Sequence, residues 1–148
     1  MPVTDDQVAA LRAQLAGDLA EHKRLLAQLD RAKAASGYSA LIAAAFFEAA
    51  DRRFVENGKI ADDAEVIQFV GSVRARTEAA TEEIDPRIAE RLIGVALGKG
   101  SLADVDNETV IRTQLYLLAA LVADAQLNAS DLDAFMAEVR SVAEEWTG

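Results

Sequence analysis

Residues 115–140, LYLLAALVADAQLNASDLDAFMAEVR, begin with an apolar run that stops at Asp124 and continue through a short polar turn. Beyond the turn, Leu132, Phe135, Met136 and Val139 recur at three- and four-residue steps. That spacing is one face of a 3.6-residue helix, so the stretch predicts two helices joined by a turn, with Ser130 as the second N-cap. A looser version of the same pattern occupies residues 41–74.

The two can be laid over each other at a constant offset of 66. EVIQFVGSVR (65–74) then meets DLDAFMAEVR (131–140), pairing Phe69 with Phe135, Val73 with Val139 and Arg74 with Arg140. Each block follows an alanine-rich apolar run and a polar turn, which predicts a pseudo-repeat of two helical hairpins. Between them, Asp85-Pro86 is a start signal, an N-cap followed by proline at the first helical position. Gly98-Lys99-Gly100 closes that helix, and Asp106 caps the next. No stretch alternates with period two, so no sheet is expected. The expected fold is an all-α, single-domain bundle of about six helices.

The first helix has its own start signature. Thr4 and Gln7 stand at capping-box spacing, and Val3 and Val8 at the spacing of a hydrophobic staple. Val8, Leu11, Leu15, Leu19, His22, Leu26 and Leu29 follow with a mean step of 3.5, the seam of a coiled coil. Run unbroken to about Ala35, this makes residues 1–36 a long amphipathic helix for packing or oligomerisation, a candidate homodimer seam. Residues 37–148 are then the bundle proper.

A chain of 148 residues is one domain's worth. Its hydrophobic fraction is 51% with only 5% aromatic, so alanine and leucine supply the apolar surface and favour helix. Absence of cysteine removes disulfides and thiolate chemistry. The formal charge is −10, and residues 101–148 carry nine acids against two bases. A nucleic-acid binder needs a basic footprint, and there is none. The longest apolar run, residues 115–123, falls far short of the roughly 20 residues that cross a bilayer. MPVTDDQV has no basic leader, so the expectation is a cytoplasmic chain.

Several chemistries fail on spacing. EF-hand loops starting at Asp104 or Asp124 lack the glycine at position six and the glutamate at twelve. His22 is the single histidine, which removes triads and two-histidine metal motifs. Its place in an apolar seam marks it as a packing or hydrogen-bonding residue. No strand precedes Gly98-Lys99-Gly100, so it is not a phosphate loop.

The turns resemble a known motif. ADAQLNASDL (123–132) and NGKIADDAEV (57–66) are similar to the paired acidic turns of the tellurite-resistance TerB-like family, with Ala125 replacing its glycine and Asn57 its first aspartate. The resemblance spans roughly residues 41–142. It implies an all-helical module without catalytic activity that binds a partner protein. It also implies a divalent cation, calcium or magnesium, at Asp124, Asp131, Asn57 and Glu65. The alternative is a structural protein that oligomerises through its first helix and holds no metal.

Overall fold

The computed structural model describes residues 3–29 and 37–147. Among these it is all-α with one small hairpin. The helices are α1 (Asp5–Leu15), α2 (Leu19–Gln28), α3 (Ser39–Phe54), α4 (Asp63–Arg74), α5 (Glu78–Glu83), α6 (Pro86–Ala96), α7 (Asn107–Ala125) and α8 (Ala129–Thr147). Strands β1 (Val55–Glu56) and β2 (Lys59–Ile60) lie between α3 and α4. Eight described helices replace the expected six because the first is divided and α5 is added.

The division falls at Gly17, whose φ of +82° is the left-handed conformation that ends helices. The Asp18 amide returns to the Ala13 carbonyl at 2.9 Å, and the Asp18 carboxylate caps α2 through the Glu21 amide at 3.2 Å. Two caps on adjacent residues outweigh a periodicity that runs through them. The chain therefore folds back, and His22 Nδ1 donates to the Ala10 carbonyl oxygen at 2.7 Å, joining α1 to α2. Ala10, Ala13 and Leu25 form a buried cluster there, with Ala9, Leu29 and Tyr38 against it. The supposed seam is thus not one surface: Leu11 is 0% exposed, whereas Leu19 is 60% exposed. The part of the expected helix between residues 30 and 36 lies outside the described residues.

The chain forms two compact units, Met1–Ala45 with Val122–Gly148, and Phe46–Leu121. In the first unit α1 packs on α8. Arg12 Nε meets Asp133 Oδ1 at 2.6 Å, and Arg140 binds the Asp5 carboxylate and the Val3 carbonyl. The expected capping box is present, with the Thr4 amide on Gln7 Oε1 at 3.0 Å and the Gln7 amide on Thr4 Oγ1 at 3.2 Å. Val3, Leu11, Phe135, Met136 and Val139 are all buried in this unit.

In the second unit α4 packs on α5 and α6. Phe54, Phe69, Val70, Ile84, Leu92 and Ile93 are buried. Arg74 Nε donates to the Ile84 carbonyl at 2.9 Å and Nη2 to the Thr81 carbonyl at 3.0 Å, fastening the end of α4 to the α5 segment. Asp85 caps α6 through the Arg87 amide at 2.9 Å.

The connection from α6 to α7 is tied by Arg91, whose Nη2 meets Asp104 Oδ1 and the Ser101 carbonyl, each at 2.6 Å. Asp106 accepts from the Thr109 amide at 3.0 Å and the Thr109 hydroxyl at 2.7 Å. The Arg91 hydrogen bond holds the Asp104 carboxyl, and the Thr109 hydrogen bond the Asp106 carboxyl, below the ordinary 3.8. A carboxyl whose folded pKa is depressed stabilises the fold above its unfolded value and gives this up as pH falls through the folded one. The melting temperature of Asp104→Asn is therefore expected to lie below wild type at neutral pH. A pH series should show that gap closing as pH drops below 3.8.

One small sheet is present where none was expected. Val55 pairs with Ile60 and Glu56 with Lys59, and the turn residues Asn57 and Gly58 have φ of 53° and 77°. Two successive positive φ values are the type I′ turn that Asn-Gly favours. Strands of two residues are too short to show period-two patterning, so only the dipeptide could have revealed them.

The helices after the two turns start alike. Asp62 Oδ1 accepts from the Glu65 amide at 2.9 Å, and Asn128 Oδ1 from the Asp131 amide at 2.8 Å. These caps are themselves 66 positions apart, so the second cap is Asn128 and not Ser130. Asn128→Ala is expected to cost about 1 kcal/mol in urea denaturation, and Ser130→Ala far less. The turns themselves differ: α3 gives way to the hairpin, whereas α7 runs on to Ala125 and breaks at one left-handed residue, Gln126, with φ of 53°.

Candidate functional site

The α7–α8 turn is built by two short-range devices. Gln126 turns the chain, its amide reaching the Ala123 carbonyl at 3.2 Å, and Asn128 restarts the helix. Asp124 and Asp131 are exposed on either side of this turn. Asp131 stands in the first turn of α8, where the partial positive charge of the helix end favours a carboxylate.

Beside the turn runs a groove of about 380 Å³, walled by α1 on one side and the turn on the other. Val122 and Leu132 are its buried floor, and Leu15, Ala16 and Leu127 are its apolar sides. Arg12, Gln126 and Asn128 supply the polar part of the lining. Arg12 is fixed there by Asp133 and by the Ala129 carbonyl at 3.5 Å. An open groove lined about equally by apolar and polar atoms, with Arg12 and Asn128 held in place, has room for one anchoring side chain.

The first turn has a different chemistry. Arg53 lies 4.9 Å from the Phe54 ring centroid and 5.9 Å from that of Phe69, and its Nη1 meets Glu65 Oε2 at 3.1 Å. A hollow of about 540 Å³ opens there, lined by Phe54, Ile60 and Ala61 together with Arg53, Glu56, Lys59, Asp62 and Glu65. Charges of both signs line it. Asn57 stands exposed at the tip of the hairpin.

The four residues expected to hold a cation fall in two pairs. Asn57 and Glu65 belong to one unit, and Asp124 and Asp131 to the other. A hard cation takes six to eight oxygens, several of them carboxylate. In the first turn Asn57 is neutral, Glu65 is engaged by Arg53, and Asp62 is used as a cap. Among the described residues no three acidic or histidine side chains form a group that could hold a metal ion.

Arg12 and Leu127 did not stand out in the sequence, and Leu15 did so only as a member of the leucine seam. Arg12 and Asp133 are 121 residues apart, and nothing local marks them as neighbours. Among the described residues no helix is long and apolar enough to cross a membrane. Comparison with protein-family models, curated proteins and solved structures gives no match to this chain.

Proposed function

We propose that this chain is a non-catalytic helical docking module, TerB-like in its turns, that holds a cationic amphipathic segment of a partner protein in the groove beside the α7–α8 turn. The observation that carries this is the groove itself, floored by Val122 and Leu132, beside the exposed carboxylates of Asp124 and Asp131. Burying one apolar anchor there supplies affinity, while Asp124 and Asp131, on either side of the turn, attract and orient a basic partner. Internal duplication is supported by the caps at Asp62 and Asn128 and by the buried faces Val66, Phe69, Val70, Val73 and Leu132, Phe135, Met136, Val139.

A synthetic amphipathic helix of leucine and lysine tests the proposal by fluorescence titration of the full chain. Binding is expected, weakening with salt and unaffected by a chelator. Asp124→Asn with Asp131→Asn should raise Kd and flatten the salt dependence. Leu127→Ser should raise Kd and leave that dependence unchanged. No binding, or binding indifferent to all three changes, contradicts docking here.

Self-association is a second reading favoured by one observation. Leu19 and Leu26, a heptad apart on α2, are 60% and 40% exposed. If α2 pairs with a second copy, light scattering finds a dimer that Leu19→Glu with Leu26→Glu abolishes. A monomer before and after removes this reading.

A further inference from the structure

The chain has three asparagines, Asn57, Asn107 and Asn128. Their surroundings differ in what governs attack of a backbone amide on a side-chain carboxamide. Asn107 opens α7, where helical dihedrals fix the amide that follows it. The Asn128 carboxamide is committed to the Asp131 amide at 2.8 Å, and its successor, Ala129, begins α8. Asn57 is exposed at a hairpin tip and is followed by Gly58, which has no β-carbon to obstruct its own nitrogen. Nothing lies within 4 Å of where a β-carbon on Gly58 would sit, so the turn has room to change shape. The strands holding it are two residues each, and so small a hairpin is marginal by itself. Beyond its two strand pairs the hairpin is closed by the Ala61 amide on the Phe54 carbonyl at 2.8 Å, a small ladder whose opening does not require unfolding of the helices on either side.

We propose that Asn57 is a site of spontaneous deamidation and isomerisation, a modification that places a carboxylate at the tip of the β1–β2 hairpin and undoes it. The Gly58 nitrogen attacks Asn57 Cγ. The N–Cγ bond forms, the Cγ–Nδ2 bond breaks, and Nδ2 leaves as ammonia, carrying the proton of the Gly58 amide. Water then opens the five-membered imide at either carbonyl. Opening at Cγ gives aspartate in an intact main chain. Opening at the backbone carbonyl gives an isoaspartyl link, with the main chain routed through the former side chain. Either product adds one negative charge to a chain at −10. The isoaspartyl link also lengthens a turn whose two residues must both hold positive φ, so the Val55–Ile60 and Glu56–Lys59 pairings are lost. This chemistry is independent of the α7–α8 groove.

Peptide mapping decides the matter. The full chain is held at mildly alkaline pH, folded in buffer and unfolded in guanidinium chloride, and then cut after lysine and arginine to release FVENGK (54–59). Aspartyl and isoaspartyl forms of that peptide are expected to accumulate in the folded chain within about tenfold of the unfolded rate, as cheap local opening requires. Peptides carrying Asn107 and Asn128 should convert at least about tenfold more slowly than in the unfolded chain, since those sites open only with their helices. Conversion of 54–59 in guanidinium alone, or a folded rate no faster than at Asn107 and Asn128, overturns the proposal.

Discussion

Replacing Phe54 by alanine is expected to lower stability by about 3–5 kcal/mol, the largest single effect in the second unit. Phe54 ends α3 and is 2% exposed. Its ring meets that of Phe69 edge-on, with centroids 5.5 Å apart and planes at 82°, and the Arg53 guanidinium covers it. Truncation removes the transfer energy of the ring, leaves a cavity, and deprives Phe69 of a paired-aromatic term worth about 0.5–1.5 kcal/mol. Urea denaturation should show a lower midpoint with an unchanged slope. A loss below about 1 kcal/mol would mean that the Phe54 site collapses to fill itself.

Leu11→Ala is expected to cost about 2–5 kcal/mol, and Leu19→Ala less than about 0.5 kcal/mol. In the unbroken coiled-coil seam of the sequence the two leucines are equivalent. With the break at Gly17 they are not: Leu11 is 0% exposed on a helix that packs on α8, whereas Leu19 is 60% exposed. Chemical denaturation of both variants measures the contrast directly. Equal losses, or a near-neutral Leu11→Ala, would return α1 to the status of an appendage.

Much of the helical framework was legible because local chemistry specifies it. Thr4, Asp62, Asp85 and Asp106 each accept from an amide two or three residues on, as their sequence contexts suggest. The apolar faces of α4 and α8 follow from spacing alone. The break after α1 was hidden by a longer-range regularity, since the leucine repeat passes unchanged from Leu15 to Leu19 across Gly17-Asp18. That dipeptide carries both a C-terminal and an N-terminal cap signal, and periodicity does not weigh them. The choice of Asn128 over Ser130 turned on where the helix restarts, since α8 begins at Ala129, directly after Asn128.

The candidate site was legible in half. Asp124 and Asp131 were marked by the acidic turn and its resemblance to a family motif. The groove next to them was not, because its far wall comes from α1, at the other end of the chain. Its Arg12–Asp133 pair is a tertiary contact with no local signature. The first turn differs. Its acids were conspicuous in the sequence, yet Asp62 is occupied as a helix cap and Glu65 by an arginine one helix back.

Docking at the α7–α8 turn is tested most directly by methyl NMR of the full chain titrated with the leucine–lysine helix. The groove predicts that shifts concentrate on Leu15, Val122, Leu127 and Leu132. Shifts centred on Leu19 and Leu26, or none at saturating helix, would contradict it.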